Sequence, residues 1–461
     1  RNFKEIQVHK VWDFSFGSNV TVAVLDSGYG HDGLQDSAVH VLDGYDFVKN
    51  NSNWGDTEGH GTHISNTIAE ATNNNIGAAG IAFEASLLPL KIFPDQQESG
   101  ATESDLIDAL NFAHNHSADV INMSLGGGGY VGATNDLLDQ IVADGGFAVA
   151  ATGNSGKNQL DYPAAYPSVV AVGSCPLHKT GDPPPRSDFS NYGQGLNLMA
   201  PGEDILQETF GKEGVGYYLG TGTSSSAPHI SGAAALLIAA SGRRDPVALR
   251  QAFILTAVGE SSGWSEEIGY GEIDAFAALN KYYKQGNSPP IAKISVNPQG
   301  GTIPIDVHLS ANGSYDPDGG AITYRWMDLI KNEDLGADEE IDVEVKEGRD
   351  FLFVLTVTDE KDVIGAAEMF ASYQQSLSDQ CRQMVSRVYD DCSSGIDGES
   401  SNGALQNCLD GQSGYGCALD CDQNTSDCPT LLNCLIASCG MNATSSGGSS
   451  KQEASGCGCG R

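Results

Sequence analysis

Three short segments carry an Asp, a His and a Ser in that order: Val24-Leu25-Asp26-Ser27-Gly28, Gly59-His60-Gly61-Thr62-His63 and Gly222-Thr223-Ser224-Ser225-Ser226-Ala227-Pro228-His229. A serine hydroxyl alone is a poor nucleophile. It needs a base within hydrogen-bond reach and a buried carboxylate that fixes the tautomer of that base. Ser224, His60 and Asp26 are assigned those roles as nucleophile, proton shuttle and orienting carboxylate. Taken singly, each has an ordinary reading: an Asp after an apolar strand caps a helix or turn, a His beside Gly sits in a loop, and a Ser run before Ala-Pro opens a helix. The three with extended flanks, in one order over about 200 residues, are what single them out.

The surrounding pattern supplies the elements that must position them. Through about residue 285, short apolar runs alternate with helical periodicity, as a parallel sheet with crossover helices requires. Buried strands are predicted over 19–25, 87–92, 119–123, 147–151 and 169–172, and helices over 62–70, 103–114, 134–144 and 224–240. Sites in such open sheets gather at the carboxyl ends of strands. Asp26 ends one predicted strand and Asn154 follows another. Ser224 opens an apolar helix, so its hydroxyl lies near the positive end of the helix dipole and its own N–H is available to a developing oxyanion.

These segments resemble the subtilisin-like serine proteases, across residues 1–285 of the 461. The resemblance implies a parallel-sheet α/β catalytic domain and a serine endopeptidase that forms an acyl-enzyme on Ser224. In Gly-His-Gly-Thr-His the family uses the first His, which makes His60 the base, and Gly61 is expected to give the substrate backbone room. His63 and His229 are then structural. The segment Ala150-Ala151-Thr152-Gly153-Asn154-Ser155-Gly156 matches the family's oxyanion segment and makes Asn154 the second donor. Ser124-Leu125-Gly126-Gly127 matches the edge on which an extended peptide pairs, and Ala151, Thr152 and Gly153 form the opposite wall of the first specificity pocket. Asp161 aligns where the floor of that pocket usually has a small residue, which predicts a bias toward cleavage after Lys or Arg. The run from Ala71 to Ala82 resembles the family's calcium loop; Asn74 and the carbonyls of Thr72, Ile76 and Ala78 are the expected ligands, with Asp32, one place from the aligned position, as the acidic one.

Length and composition bound the rest. A chain of 461 residues exceeds one hydrophobic core. With 60 acidic against 24 basic side chains and a net charge of −36, nucleic acid and anionic membranes are excluded as partners. No run of 18 apolar residues occurs, so no transmembrane segment is expected. The start at Arg1 reads as a trimmed mature terminus.

Beyond the catalytic domain (1–285), a stiff Gly286-Asn287-Ser288-Pro289-Pro290 linker leads into residues 286–370. Ser314-Tyr315-Asp316-Pro317-Asp318-Gly319, Tyr324-Arg325-Trp326 and Leu355-Thr356-Val357-Thr358-Asp359 give this stretch a resemblance to a PKD-type β-sandwich, although Met327-Asp328-Leu329 replaces the usual aromatic and Gly-Asp-Gly turn. The ten acidic and three basic residues between Asp328 and Asp350 read as a solvated loop. Residues 371–440 hold eight cysteines, read as a small helical domain with four disulfides in one of 105 connectivities; zinc is the weaker reading, since the block lacks His and paired Cys-x-x-Cys spacing. Residues 441–461 form a flexible Gly/Ser-rich tail, whose end resembles the stub of a sorting signal. Cysteine crowding points to a secreted, extracellular protein, associated with the cell surface before its tail is processed. Cys175 is expected to be a buried free thiol. The expected partners are protein or peptide substrates, with extracellular polymer or surface contacts through the C-terminal modules, and the chain is expected to be a monomer. Two rival readings come from other classes: an inactive protease fold acting as an adhesin, against which the intact triad and Asn154 argue, and an α/β-hydrolase esterase, which the Asp-His-Ser order excludes.

Overall fold

In the computed structural model, residues 2–30, 33–95, 100–178, 181–259 and 263–375 are described. Asp32 and the cysteine block with its proposed disulfides lie outside these residues.

The chain opens with two short helices, α1 (Asn2–Glu5) and α2 (Val8–Val11). The strands β1 (Thr21–Asp26), β2 (His40–Val41), β3 (Tyr45–Asp46), β4 (Ser86–Lys91), β5 (Val120–Met123), β6 (Phe147–Ala151), β7 (Val170–Cys175) and β8 (Leu198–Pro201) make one eight-stranded sheet. Its order is β2-β4-β1-β5-β6-β7-β8, with β3 also on β4, and its pairings are parallel. Helices α3 (His60–Ala69), α4 (Glu103–Asn115), α5 (Gly132–Ala143) and α6 (Thr223–Ser241) cover it. Successive strand residues point to opposite faces. Val22, Val24, Val120 and Val149 join α6 in one core, while Ala23, Leu25, Ile121 and Ala148 join α4 and α5 in the other. Burial on both faces explains why these strands read as unbroken apolar runs.

A hairpin of β9 (Ile205–Gly211) and β10 (Gly214–Gly220) precedes α6, and α7 (Pro246–Thr256) and α8 (Ala275–Tyr282) follow it. From 295 to 375 the chain is β-rich: β11 (Ser295–Asn297), β12 (Gly300–Ile303), β13 (Ile305–Ser310), β14 (Ile322–Asp328), β15 (Glu333–Gly336), β16 (Glu340–Val345), β17 (Arg349–Asp359) and β18 (Ile364–Gln375). The described chain divides into two compact units. One comprises Arg1–Val296, Leu309–Ile341 and Phe351–Phe370; the other takes Asn297–His308, Asp342–Asp350 and the described residues from Ala371. Within the first, β14 pairs antiparallel with β15 and β17; within the second, β12 pairs parallel with the end of β18.

The acidic stretch from Asp328 to Asp350 is not the loop its charge suggested, because β15 and β16 run through it. Along β16 exposure alternates, placing Glu340, Asp342 and Glu344 outward and Val345 inward. Period-two exposure lets a strand carry this charge density on its wet face.

Candidate active site

His60 is positioned where β1 ends and α3 begins. Asp26 is fully buried, and its Oδ1 lies 2.7 Å from His60 Nδ1 while accepting the Ser27 N–H at 2.7 Å. His60 is the first residue of α3. The helix start is held by Asp56, which sequence reasoning missed. Its carboxylate accepts the N–H groups of Glu58 at 2.9 Å, Gly59 at 3.1 Å and Thr62 at 2.9 Å, together with the hydroxyls of Thr62 and Ser27. A buried anion here satisfies amides that a helix start otherwise leaves unpaired.

Gly61 does not make room for substrate, as had been expected. It is buried, and a Cβ there would fall 2.2 Å from the Gly28 carbonyl oxygen and 3.1 Å from Ser27 Oγ. Its missing side chain lets α3 approach the end of β1, which is what brings His60 to Asp26. Burial disfavours a charge on His60, but the field of Asp26 and their hydrogen bond favour it more, so its pKa lies above the ordinary 6.5. The His60 side chain keeps 40% of its surface exposed. His63 and His229 lie in the packed interior, where Nε2 of His63 meets the Ile205 carbonyl at 2.9 Å and Nδ1 of His229 meets the Ser225 carbonyl at 2.9 Å.

Ser224 is the second residue of α6 and lines, with His60, Asn154 and Thr223, a cavity of about 190 Å³. Asn154 is oriented by its neighbour in space. Its Oδ1 accepts the Thr223 N–H at 2.8 Å and the Thr223 hydroxyl at 2.9 Å, which leaves the Nδ2 donors to the cavity. A Cβ on Gly222 would fall 3.1 Å from Ser224 Oγ and 3.3 Å from Asn154 Nδ2. Both groups therefore face one small space, which the glycine leaves open.

The predicted binding edge leaves β5 beside this cavity. Leu125 is half-buried, while Gly126 and Gly127 are exposed. Ser124 is instead buried and donates its hydroxyl to the Ser224 carbonyl at 2.8 Å, tying the edge to α6. Across the cavity, Ala151 and Gly153 line the wall and Thr152 is buried. Asp161 lines the same cavity. Side-chain atoms at Gly126 and Gly153 would fall 3.0 Å from Asp161 Cβ and 2.2 Å from Asp161 Oδ2, so the two glycines clear space around its carboxylate. Asp161 Oδ1 is engaged by Lys157 Nζ at 2.7 Å, a pairing the sequence reading did not anticipate. A second cavity of about 230 Å³, lined in part by Leu106, Leu125, Tyr162 and Tyr166, opens along the same edge.

The Subtilase family profile matches residues 17–271, more than half of the chain. The chain belongs to the subtilase family. The thermophilic serine proteinase of Bacillus sp. (strain AK1) is 36% identical over 271 residues, 58% of this chain and 64% of its own length. The major intracellular serine protease of Bacillus subtilis (strain 168) is 38% identical over 51% of this subtilase and 73% of its own length. Subtilisin NAT of Bacillus subtilis subsp. natto is 41% identical over 48% and 56%. Against the first and third, the match spans less than two thirds of the relative. Among solved structures, a protease of Pseudoalteromonas arctica PAMC 21717 superposes with a TM-score of 0.53 at 29% identity, covering 59% of this chain and 93% of the other.

In this subtilase the expected calcium loop follows α3. Asn74 Nδ2 donates to Asp36 Oδ1 at 2.8 Å, and Asn74 Oδ1 accepts the Ile76 N–H at 3.1 Å. Asp36, which the sequence reading did not name, faces the loop through Asn74. Asp36 Oδ2 and Glu70 Oε1 are buried in one acidic cluster, where the two carboxyl groups hydrogen-bond each other when one holds a proton. Burial and the neighbouring Asp36 charge push the Glu70 carboxyl up to about 8. Crowded buried carboxyl groups that must otherwise share a proton fit a hard cation. Thr72 and Ala78 flank this cluster in the chain.

Proposed function

We propose that this subtilase is a serine endopeptidase. The observation that carries the reading is the buried Asp26 carboxylate 2.7 Å from His60 Nδ1, with His60 sharing one cavity with Ser224 and the clamped Asn154. His60 Nε2 takes the Ser224 proton as Oγ bonds to the scissile carbonyl carbon, and Asp26 stabilises the imidazolium. The oxyanion accepts from Asn154 Nδ2 and the Ser224 N–H. His60 then gives its proton to the leaving amine as the peptide C–N bond breaks, and water, activated by the same imidazole, hydrolyses the acyl-enzyme. An extended peptide pairs with the backbone of 124–127, and the Asp161 carboxylate favours Lys or Arg before the cleaved bond. A calcium ion would be held by Asn74, Asp36 and the carbonyls of Thr72, Ile76 and Ala78, and would supply cross-linking charge rather than chemistry.

The same reading keeps the division at 285, 370 and 440, a PKD-like module, a disulfide-rich segment that contacts substrate or an extracellular surface, and a secreted monomer. It is supported by the β-rich character of 295–375 and the cysteine crowding after Cys381. Among the described residues no helix is long and apolar enough to cross a membrane.

The test is a peptide-library digest read by mass spectrometry, with wild type and Ser224→Ala. Cleavage after Lys and Arg by wild type, and none by the variant, is expected. Cleavage that persists in Ser224→Ala overturns the proposal, and equal cleavage after Phe and Arg overturns the role of Asp161.

A further inference from the structure

A second cluster of reactive side chains lies outside the catalytic cavity, where β7 ends. Cys175 is its last residue and fully buried; Glu272 is buried beside it; His178, on the following loop, keeps about 10% of its side chain exposed. One ligand atom from each of the three lies within 4.8 Å of the others. Cys175 Sγ is 3.4 Å from Glu272 Oε1, and His178 Nε2 is 3.6 Å from Glu272 Oε2. Ligands at zinc's usual bond lengths of about 2.0–2.3 Å in a tetrahedron stand about 3.3–3.7 Å apart. These contacts are compatible with the spacing of a coordination shell, with Glu272 reaching the ion through either oxygen.

The far side of the imidazole is also arranged for a metal. His178 Nδ1 is 2.7 Å from Glu5 Oε1, which also accepts the His178 backbone N–H at 2.7 Å. A carboxylate on one ring nitrogen fixes the tautomer and turns the other nitrogen's lone pair toward the ion. Glu5 is itself buried, so two buried carboxyl groups flank one imidazole, and the Cys175 thiol bonds the second of them. Buried charges are paired or coordinate metals.

We propose that Cys175, His178 and Glu272 bind a zinc ion whose fourth position is left to water, with Glu5 positioning the imidazole from outside the coordination shell. A thiolate, an imidazole and a carboxylate suit zinc and exclude calcium and magnesium, which take oxygen ligands. Binding releases the Cys175 thiol proton, the proton that burial keeps on Glu272 up to about pH 8, and any proton that His178 Nε2 presents to the Asp182 carbonyl, 3.1 Å away. The thiolate and carboxylate then balance the two charges of the ion. Such a site joins the end of α1, the carboxyl end of β7 and the segment before α8, three parts of the chain far apart in sequence.

The test compares full-length wild type with Cys175→Ser after zinc loading and dialysis, by metal analysis and by the absorption of the Co2+-substituted proteins. Working by difference removes any metal held by the other cysteines. One more equivalent of zinc in the wild type, and a thiolate-to-cobalt band that the variant lacks, are expected. Glu5→Gln should keep the site and weaken zinc binding by about 10–100-fold in competition with a chromophoric chelator. Should Cys175→Ser not fold, His178→Gln serves in the same comparison. Equal zinc content in wild type and a folded variant, or no band dependent on Cys175, overturns the proposal.

Discussion

Asn154 can stabilise an oxyanion only while its amide nitrogen, and not its oxygen, faces the cavity. Thr223 sets that orientation through two hydrogen bonds to Oδ1. Asn154→Ala should lower kcat by about 10²–10³, the range known from subtilisin itself, with KM little changed. Thr223→Val removes one of the two clamping bonds and retains the other. A net loss of about 1 kcal/mol, or about fivefold in kcat, is expected; steady-state kinetics on a peptide amide checks both, and an unchanged kcat in Thr223→Val contradicts the clamp. His60 must be neutral to accept a proton, and its pKa is raised by Asp26 against the effect of burial. The acid limb of the kcat/KM profile should therefore fall above pH 6.5, and a limb below that value contradicts the account. Asp26, His60, Ser224 and Asn154 were legible in the sequence because each sits in a long flank of its own. Thr223, Asp56, Lys157 and Asp36 were not, since what marks them is a partner in space and not a neighbour in the chain.

At the scale of elements, the placement of His60 depends on how α3 starts. Asp56 accepts from the backbone of Glu58, Gly59 and Thr62, so Asp56→Ala leaves several amides unpaired. A loss of about 1–2 kcal/mol in urea unfolding is expected, at the upper end for a helix cap, accompanied by a fall in kcat. Stability and kcat equal to wild type would mean that α3 is held without Asp56. The apolar strands were readable from sequence because both sheet faces are covered. The starts of the helices were less so: α3 begins at His60 rather than Thr62, since the capping carboxylate lies outside the helical periodicity. The acidic strands β15 and β16 were misread because charge was weighed above alternation.

For the molecule as a whole, stability should carry the signature of a buried neutral histidine. Burial, opposed by the Ser225 carbonyl, lowers His229 to about 4. In the unfolded chain it titrates near 6.5, so between these values the unfolded state binds more protons and stability falls as the pH falls. At about 1.36 kcal/mol per unit the loss is on the order of 3 kcal/mol. Urea midpoints from pH 7 to pH 4 should drop less steeply in His229→Gln; identical slopes would remove His229 as a cause. Calcium removal should likewise lower the melting temperature, with recovery on adding calcium back, and a melting temperature indifferent to calcium contradicts the ion loop.

The central claim is that Ser224 Oγ is a nucleophile activated by His60. A fluorophosphonate probe forms a bond only with such an oxygen. Intact-mass analysis and peptide mapping should find one probe per chain, on Ser224, in the wild type, and none in Ser224→Ala or His60→Ala. A wild-type chain that stays unlabelled, or is labelled elsewhere while Ser224 stays free, would contradict the account.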